Sequence, residues 1–229
     1  RTQFKKMSLW VFIIPFLAIN LCLFISVNFH LLENTFLAVD QIGRSKPTLP
    51  YIDGGVSISR TARTYPAFII FKPSMIIASI LLIIYWIKTN KILNNYQNLP
   101  ETKNNLFKTF GILSAIFLIV HSIFLGVKFE YDLYKLFRRF ILLSFIIFEV
   151  TAQSLLVYRF FKIKKIIMND INSYVLTLKI ILVTILVIVA FTTLPIVVTS
   201  GNVQFKHALE WNYFIGVILF YLLTYLFWK

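Results

Sequence analysis

The chain has 229 residues, 59% of them hydrophobic and only 14% charged, with a net charge of +14. That leaves too little polar surface for a soluble domain, and stretches such as Ile180–Val198 are apolar on every side, which excludes a soluble bundle with one wet face. Such a basic balance on a soluble protein would point to nucleic acid. Here Lys and Arg gather at the ends of apolar stretches, where they anchor to headgroups, so no nucleic-acid partner is expected.

Six apolar stretches predict an all-α, polytopic membrane helix bundle of one domain, residues 1–229. They are Trp10–His30, Ala67–Ile87, Leu106–Val127, Phe140–Phe161, Val175–Val198 and Trp211–Trp228. The chain opens at Arg1 rather than methionine, which reads as a fragment or a processed form. Its basic start precedes an apolar run too long for a signal peptide, so the first stretch is read as a retained span. The single cysteine, Cys22, lies inside that span and excludes a disulfide framework or a Cys-based metal site.

Between the first and second spans lies a long loop, residues 31–66, with Pro47, Pro50 and the turn signal Asp53-Gly54-Gly55. The alternating stretch Val56–Tyr65 after it predicts a short strand or hairpin over the bundle, unless the loop is a plain connector. The other connections are short, so sequential spans should be antiparallel neighbours. Pro15, Pro73 and Pro195 are expected to kink their helices.

Counting Lys and Arg at the two faces gives 12 with the N-terminus inside and 10 on the opposite side. The compact cluster Arg159–Lys165 and the basic N-terminus favour both termini cytoplasmic, with the long loop outside. Trp10, Trp86 and Trp228 then read as the inner aromatic belt, and Trp211 with Tyr213 as the outer one. Lys179, a few residues into the fifth span, reads as a snorkelling side chain.

Polar residues collect toward the outer face. His30 and Glu33, and likewise His207 and Glu210, are three apart, which puts each pair on one helical face where it could clamp a proton or a metal. His121 lies near the outer end of the third span, with Glu130 and Asp132 just beyond it. Together these would be the material of an outer zinc site, but such spacings also arise by chance and interfacial hydrogen bonding is the reading taken, so no metal is expected. Glu149 is the more informative residue because it sits near mid-membrane, where an unpaired charge costs at least a few kcal/mol. Gln153 lies one turn along on its face. Counted depths allow Glu149 to meet His121 directly or through water; the alternative is a protonated Glu149 bonded to a neighbouring Ser, Thr or Asn20 and serving helix packing. No nucleotide-binding loop, nucleophile elbow or haem-ligand pair is present, so no cofactor is expected apart from a bound lipid.

The layout has further marks. The first outer loop holds Pro50-Tyr-Ile-Asp-Gly-Gly55 and then Tyr65-Pro66 before the second span, a histidine lies in the third, and Glu210-Trp211 open the last. This resembles the superfamily of damage-regulated autophagy modulators and fibroblast-growth-factor-receptor-activating protein, which also includes factors that remodel GPI-anchor lipids. The family usually has Ser after the Ile of the loop motif and an acid after the later Pro, where this chain has Asp53 and Ala67. The resemblance implies a lipid-associated membrane protein without a settled catalytic mechanism.

On the residues themselves, a headgroup-facing pocket could draw on Asp53, Arg60, Arg63, His121, Glu149, His207 and Glu210, with Arg60 and Arg63 taking phosphate. Three readings follow. One is a lipid-binding or lipid-remodelling accessory factor with membrane lipid as its partner. The second is a membrane-embedded lipid acyltransferase or metal-dependent hydrolase, which requires at least two of His30, His121, His207, Glu210 and Glu149 to converge. The third is a small subunit held among other membrane-protein subunits.

Overall fold

In a computed structural model, residues 2–100, 105–127, 132–198 and 201–229 are described, with the side chains of 132, 135 and 194–198 left aside. Six long helices cross the molecule: α1 (Thr2–Val27), α3 (Ala67–Tyr96), α4 (Leu106–Phe124), α5 (Asp132–Lys162), α7 (Ser173–Val198) and α8 (Val203–Phe227). Two short helices join them, α2 (Ile58–Ala62) in the long loop and α6 (Lys164–Ile167) between α5 and α7. Each of the six is long and apolar enough to cross a membrane, and the chain is an integral membrane protein. Helices α1 and α3 run through Pro15 and Pro73 without a break in assignment.

The spans pack in chain order as a closed ring. α1 lies on α3, α3 on α4, α4 on α5, α5 on α7 and α7 on α8, and α8 returns to α1. Both termini therefore sit at one end. There Phe4 stacks on Tyr85 at 5.4 Å, Trp228 packs edge-on to Phe4, and the backbone N–H of Asn172 donates to Phe227 O at 2.8 Å. Asn105 bonds the side chains of Asn90 and Asn94 at 2.8 and 2.9 Å, tying the start of α4 to the end of α3.

Several sequence expectations need correction. Trp86, Trp211 and Trp228 are buried in the bundle rather than anchored at its interfaces; among the four tryptophans only Trp10 is exposed. Tryptophan suits both an interface and a core, and its position along a span does not say which way it faces. No strand forms at residues 56–65, where α2 appears instead. Ser57 is extended and its hydroxyl accepts from the Arg60 N–H at 3.2 Å, a helix cap, while Ile58, Thr61 and Ala62 bury one helical face. Helix α1 also begins well before Trp10 and α8 before Trp211, because a helix continues past the apolar run that marks it.

Candidate functional site

The long loop is held down by the first turns of α8. The Trp211 indole N–H donates to Val56 O at 2.8 Å, and Asn212 Nδ2 donates to Tyr51 O at 2.7 Å. His207 Nδ1 lies 3.0 Å from Gly54 O. The Glu210 carboxylate accepts from the backbone N–H groups of Ile58 and Ser59, at the N-terminus of α2. Gly54 makes the fit possible: at φ +60° it faces the α8 backbone, and a Cβ there would lie 1.8 Å from Gln204 O. The pair His207 and Glu210 is thus bonded to the loop backbone rather than joined to each other.

Asp53 closes the loop locally. Its Oδ1 accepts from Thr48 Oγ1 at 2.6 Å and from the Gly55 N–H at 2.8 Å, and its Oδ2 accepts from the Leu49 N–H at 2.8 Å. The Thr48 hydroxyl first, and then the two amides, hold this exposed carboxyl below the usual carboxylate range. A lowered folded-state value stabilises the turn above the unfolded value, and that contribution is lost as pH falls through the folded one. Hydrogen-exchange protection of the Leu49 and Gly55 amides is therefore expected to persist through the ordinary carboxylate range and to fall only below it. Loss already within that range would mean that these bonds do not form.

His30 and Glu33 lie 3.8 Å apart on an exposed turn, and Glu33 also accepts from Arg44 at 3.1 Å, a surface cluster of small energetic weight. Among the described residues, no three His, Cys, Asp or Glu side chains come together. Glu130 and the side chain of Asp132 lie outside the described residues.

Beneath the loop Ile19, Cys22, Val56, Phe71, Met75 and Trp211 pack as an apolar cluster, where a headgroup pocket was expected. Deeper in the bundle a cavity of about 20 Å³ abuts Glu149 and Tyr221, room for one water and far too little for a lipid.

Of the two arrangements expected for Glu149, the contact with His121 does not form and a bond to a neighbouring serine does. Ser114 Oγ of α4 lies 2.5 Å from its Oε2, Gln153 Nε2 donates to Oε1 at 2.9 Å, and the Tyr221 hydroxyl of α8 also donates to Oε1. The indole N–H of Trp86 lies against the same carboxyl without meeting hydrogen-bond geometry. His121 takes no part. It is half-buried, its Nδ1 has no partner among the described residues, and Arg138 is the charge that acts on it. Asn20 bonds Tyr51 and Phe16 O instead. Sequence reasoning reached Gln153 through its spacing and a neighbouring serine in kind, without naming Ser114, and missed Tyr221; a search for hydroxyls at matching depth on neighbouring spans would have found both.

Lys179 does not snorkel. It is fully buried, and its Nζ donates to Thr224 Oγ1 at 2.6 Å. The rings of Phe220, Phe227 and Phe160 surround it at 3.9, 5.2 and 5.5 Å from their centroids. An amine in such an aromatic cage is held by the ring faces instead of by headgroups.

A basic cluster forms where the loop meets the adjoining ends of α4 and α5. Arg63, half-buried at the end of α2, lies within electrostatic range of Arg138 and Arg60; desolvation first, then these two charges, lower its pKa from the usual guanidinium value. Gly126 lets the end of α4 approach, since a Cβ there would lie 2.7 Å from Arg63 O. Lys72 reaches across to Ile123 O at 3.2 Å, and Arg138 lies over the Tyr134 ring at 5.8 Å. Arg60 is exposed and donates to Ile42 O at 3.2 Å. Among the described residues, neither Arg63 nor Arg138 has a hydrogen bond or an ion pair from its guanidinium. Comparison with family models, with characterised proteins and with solved structures finds no match to this chain.

Proposed function

We propose that this integral membrane protein is a lipid-binding accessory factor, and that the phosphate of an anionic lipid headgroup is held between Arg63 and Arg138. The observation that carries this reading is a pair of like-charged, half-buried guanidinium groups with no carboxylate partner among the described residues. Like charges within electrostatic range of each other in a partly desolvated place favour an anion, and a guanidinium fork matches phosphate oxygens. Arg60 and Lys72 add to the positive field, as a headgroup site at an interface requires.

The opposite face of α5, along Leu133, Leu136, Phe140 and Leu143, is exposed and apolar, a surface for acyl chains of the surrounding lipid. Binding at the arginines moves the headgroup from beneath the loop to its edge, and it agrees with the lipid-associated role implied by the resemblance to the autophagy-modulator superfamily. Binding is favoured over hydrolysis or acyl transfer because His207 and Glu210 are engaged by the loop backbone. The basic N-terminus and Arg159–Lys165 share one end of the bundle, which supports a cytoplasmic location for both termini and an outward-facing loop.

Native mass spectrometry from nanodiscs holding equal phosphatidic acid and phosphatidylcholine tests the reading. The wild type should retain phosphatidic acid preferentially. Arg63→Ala with Arg138→Ala should lower that retention at least about tenfold, since charge-assisted hydrogen bonds contribute about 1.5–3 kcal/mol each and 1.4 kcal/mol is a factor of ten. Equal retention of the two lipids by the wild type would refute it.

A further inference from the structure

The shell around Glu149 can bond the two carboxyl oxygens in either charge state with the heavy atoms unmoved, while Gln153 Oε1 and Trp86 Nε1 have no partner among the described residues in either. Ser114 Oγ lies 2.5 Å from Glu149 Oε2 and 2.8 Å from Gly111 O, yet it has one hydrogen for two acceptors. With Glu149 ionised, Ser114 donates to Oε2. With Glu149 protonated on Oε2, the acid O–H donates to Ser114 Oγ and the serine hydrogen turns to Gly111 O. In both states Oε1 accepts from Tyr221 and Gln153, and Gln153 gives its second N–H to Val217 O at 3.0 Å.

We infer that Glu149 is a reversible proton-binding site inside the membrane. One proton from solvent adds to Oε2, its O–H bond forms, and the Ser114 hydrogen rotates to Gly111 O; release reverses each change, so atoms and charge balance.

The neighbouring spans supply the charges this site meets. α3 presents Tyr85, which lies in the Glu149 field and bonds Thr224 at 3.3 Å, and α8 presents Tyr221. α7 presents Lys179, linked to Thr224 and so one turn of α8 from Tyr221. From α4 comes Ser114, with His121 two turns further and unbonded to the carboxyl, while α1 contributes only Val11 and Pro15 to the cavity wall. A tyrosine pair thus separates the one buried carboxyl of this network from the one buried amine.

Infrared spectroscopy of the full chain in nanodiscs, taken from acidic to alkaline pH, tests the inference. The expected result is a protonated-carboxyl C=O band that disappears reversibly as pH rises and is absent in Glu149→Gln. In Ser114→Ala, which removes the partner of the acid O–H, the band should shift in frequency. This second variant identifies the band should Glu149→Gln fail to fold. A Glu149-dependent band that persists unchanged at every pH would overturn the inference. So would the absence of any such band throughout.

Discussion

Replacing Gly111 by alanine is expected to destabilise the bundle by about 1–3 kcal/mol, the usual range for overpacking a filled core. An added Cβ would lie 2.3 Å from two ring atoms of Trp86. That ring cannot retreat: it is fully buried, with Tyr85 edge-on at 5.1 Å, Phe107 at 6.2 Å and Tyr221 at 6.4 Å. Helices in lipid associate through close packing rather than through the hydrophobic effect, so a lost approach between α3 and α4 has few compensations. The effect should reach the polar centre as well, because Gly111 O and Ser114 lie on the turn that would be pushed away. Thermal unfolding in detergent reads this as a lowered Tm. Gly216→Ala serves as the control: its added Cβ would meet only the flexible tip of Leu186, at 2.8 Å, and should lower Tm less. Equal effects of the two substitutions would contradict the packing described.

The second large effect is expected at Trp211. This side chain is fully buried, packs against Tyr51 at 5.1 Å and donates to Val56 O, so it joins α8 to the loop on both its apolar and its polar side. Trp211→Ala should lower stability by about 3–5 kcal/mol, as for other core tryptophans. Trp211→Phe keeps most of the packing and leaves Val56 O without its donor, a loss of about 1–3 kcal/mol. Limited proteolysis separates this from general unfolding. In the phenylalanine variant the loop between Leu49 and Ile58 should become susceptible while the spans stay protected. Simultaneous loss of loop and spans would mean that the loop is not separately held.

The six spans were legible because a bilayer demands about 20 apolar residues of helix and little else in a sequence does so. Ala67 and Leu106 begin their helices where the apolar runs begin. The faces of those helices were not legible. Spans with apolar residues on every side carry no stripe to say which face meets lipid, so Trp86, Trp228 and Lys179 were assigned to headgroups although they lie inside. The same ambiguity hid the partners of Glu149. Its depth marked it as unusual, but Ser114 and Tyr221 come from spans whose rotation no local pattern fixes. The spacing of His207 and Glu210 correctly put both at the start of α8. What it could not show was the loop backbone facing them, since that contact joins residues about 150 positions apart.

The basic cluster was half visible. Arg60 and Arg63 stood out in the loop, whereas Arg138 lies on α5 and joins them only through the fold. The lipid role proposed for it is tested most directly by a cryo-electron microscopy map of the protein in nanodiscs containing phosphatidic acid. The account expects phosphate density between the Arg63 and Arg138 guanidinium groups. A map of the same quality in which the two arginines turn apart into solvent, with no density between them, would contradict it.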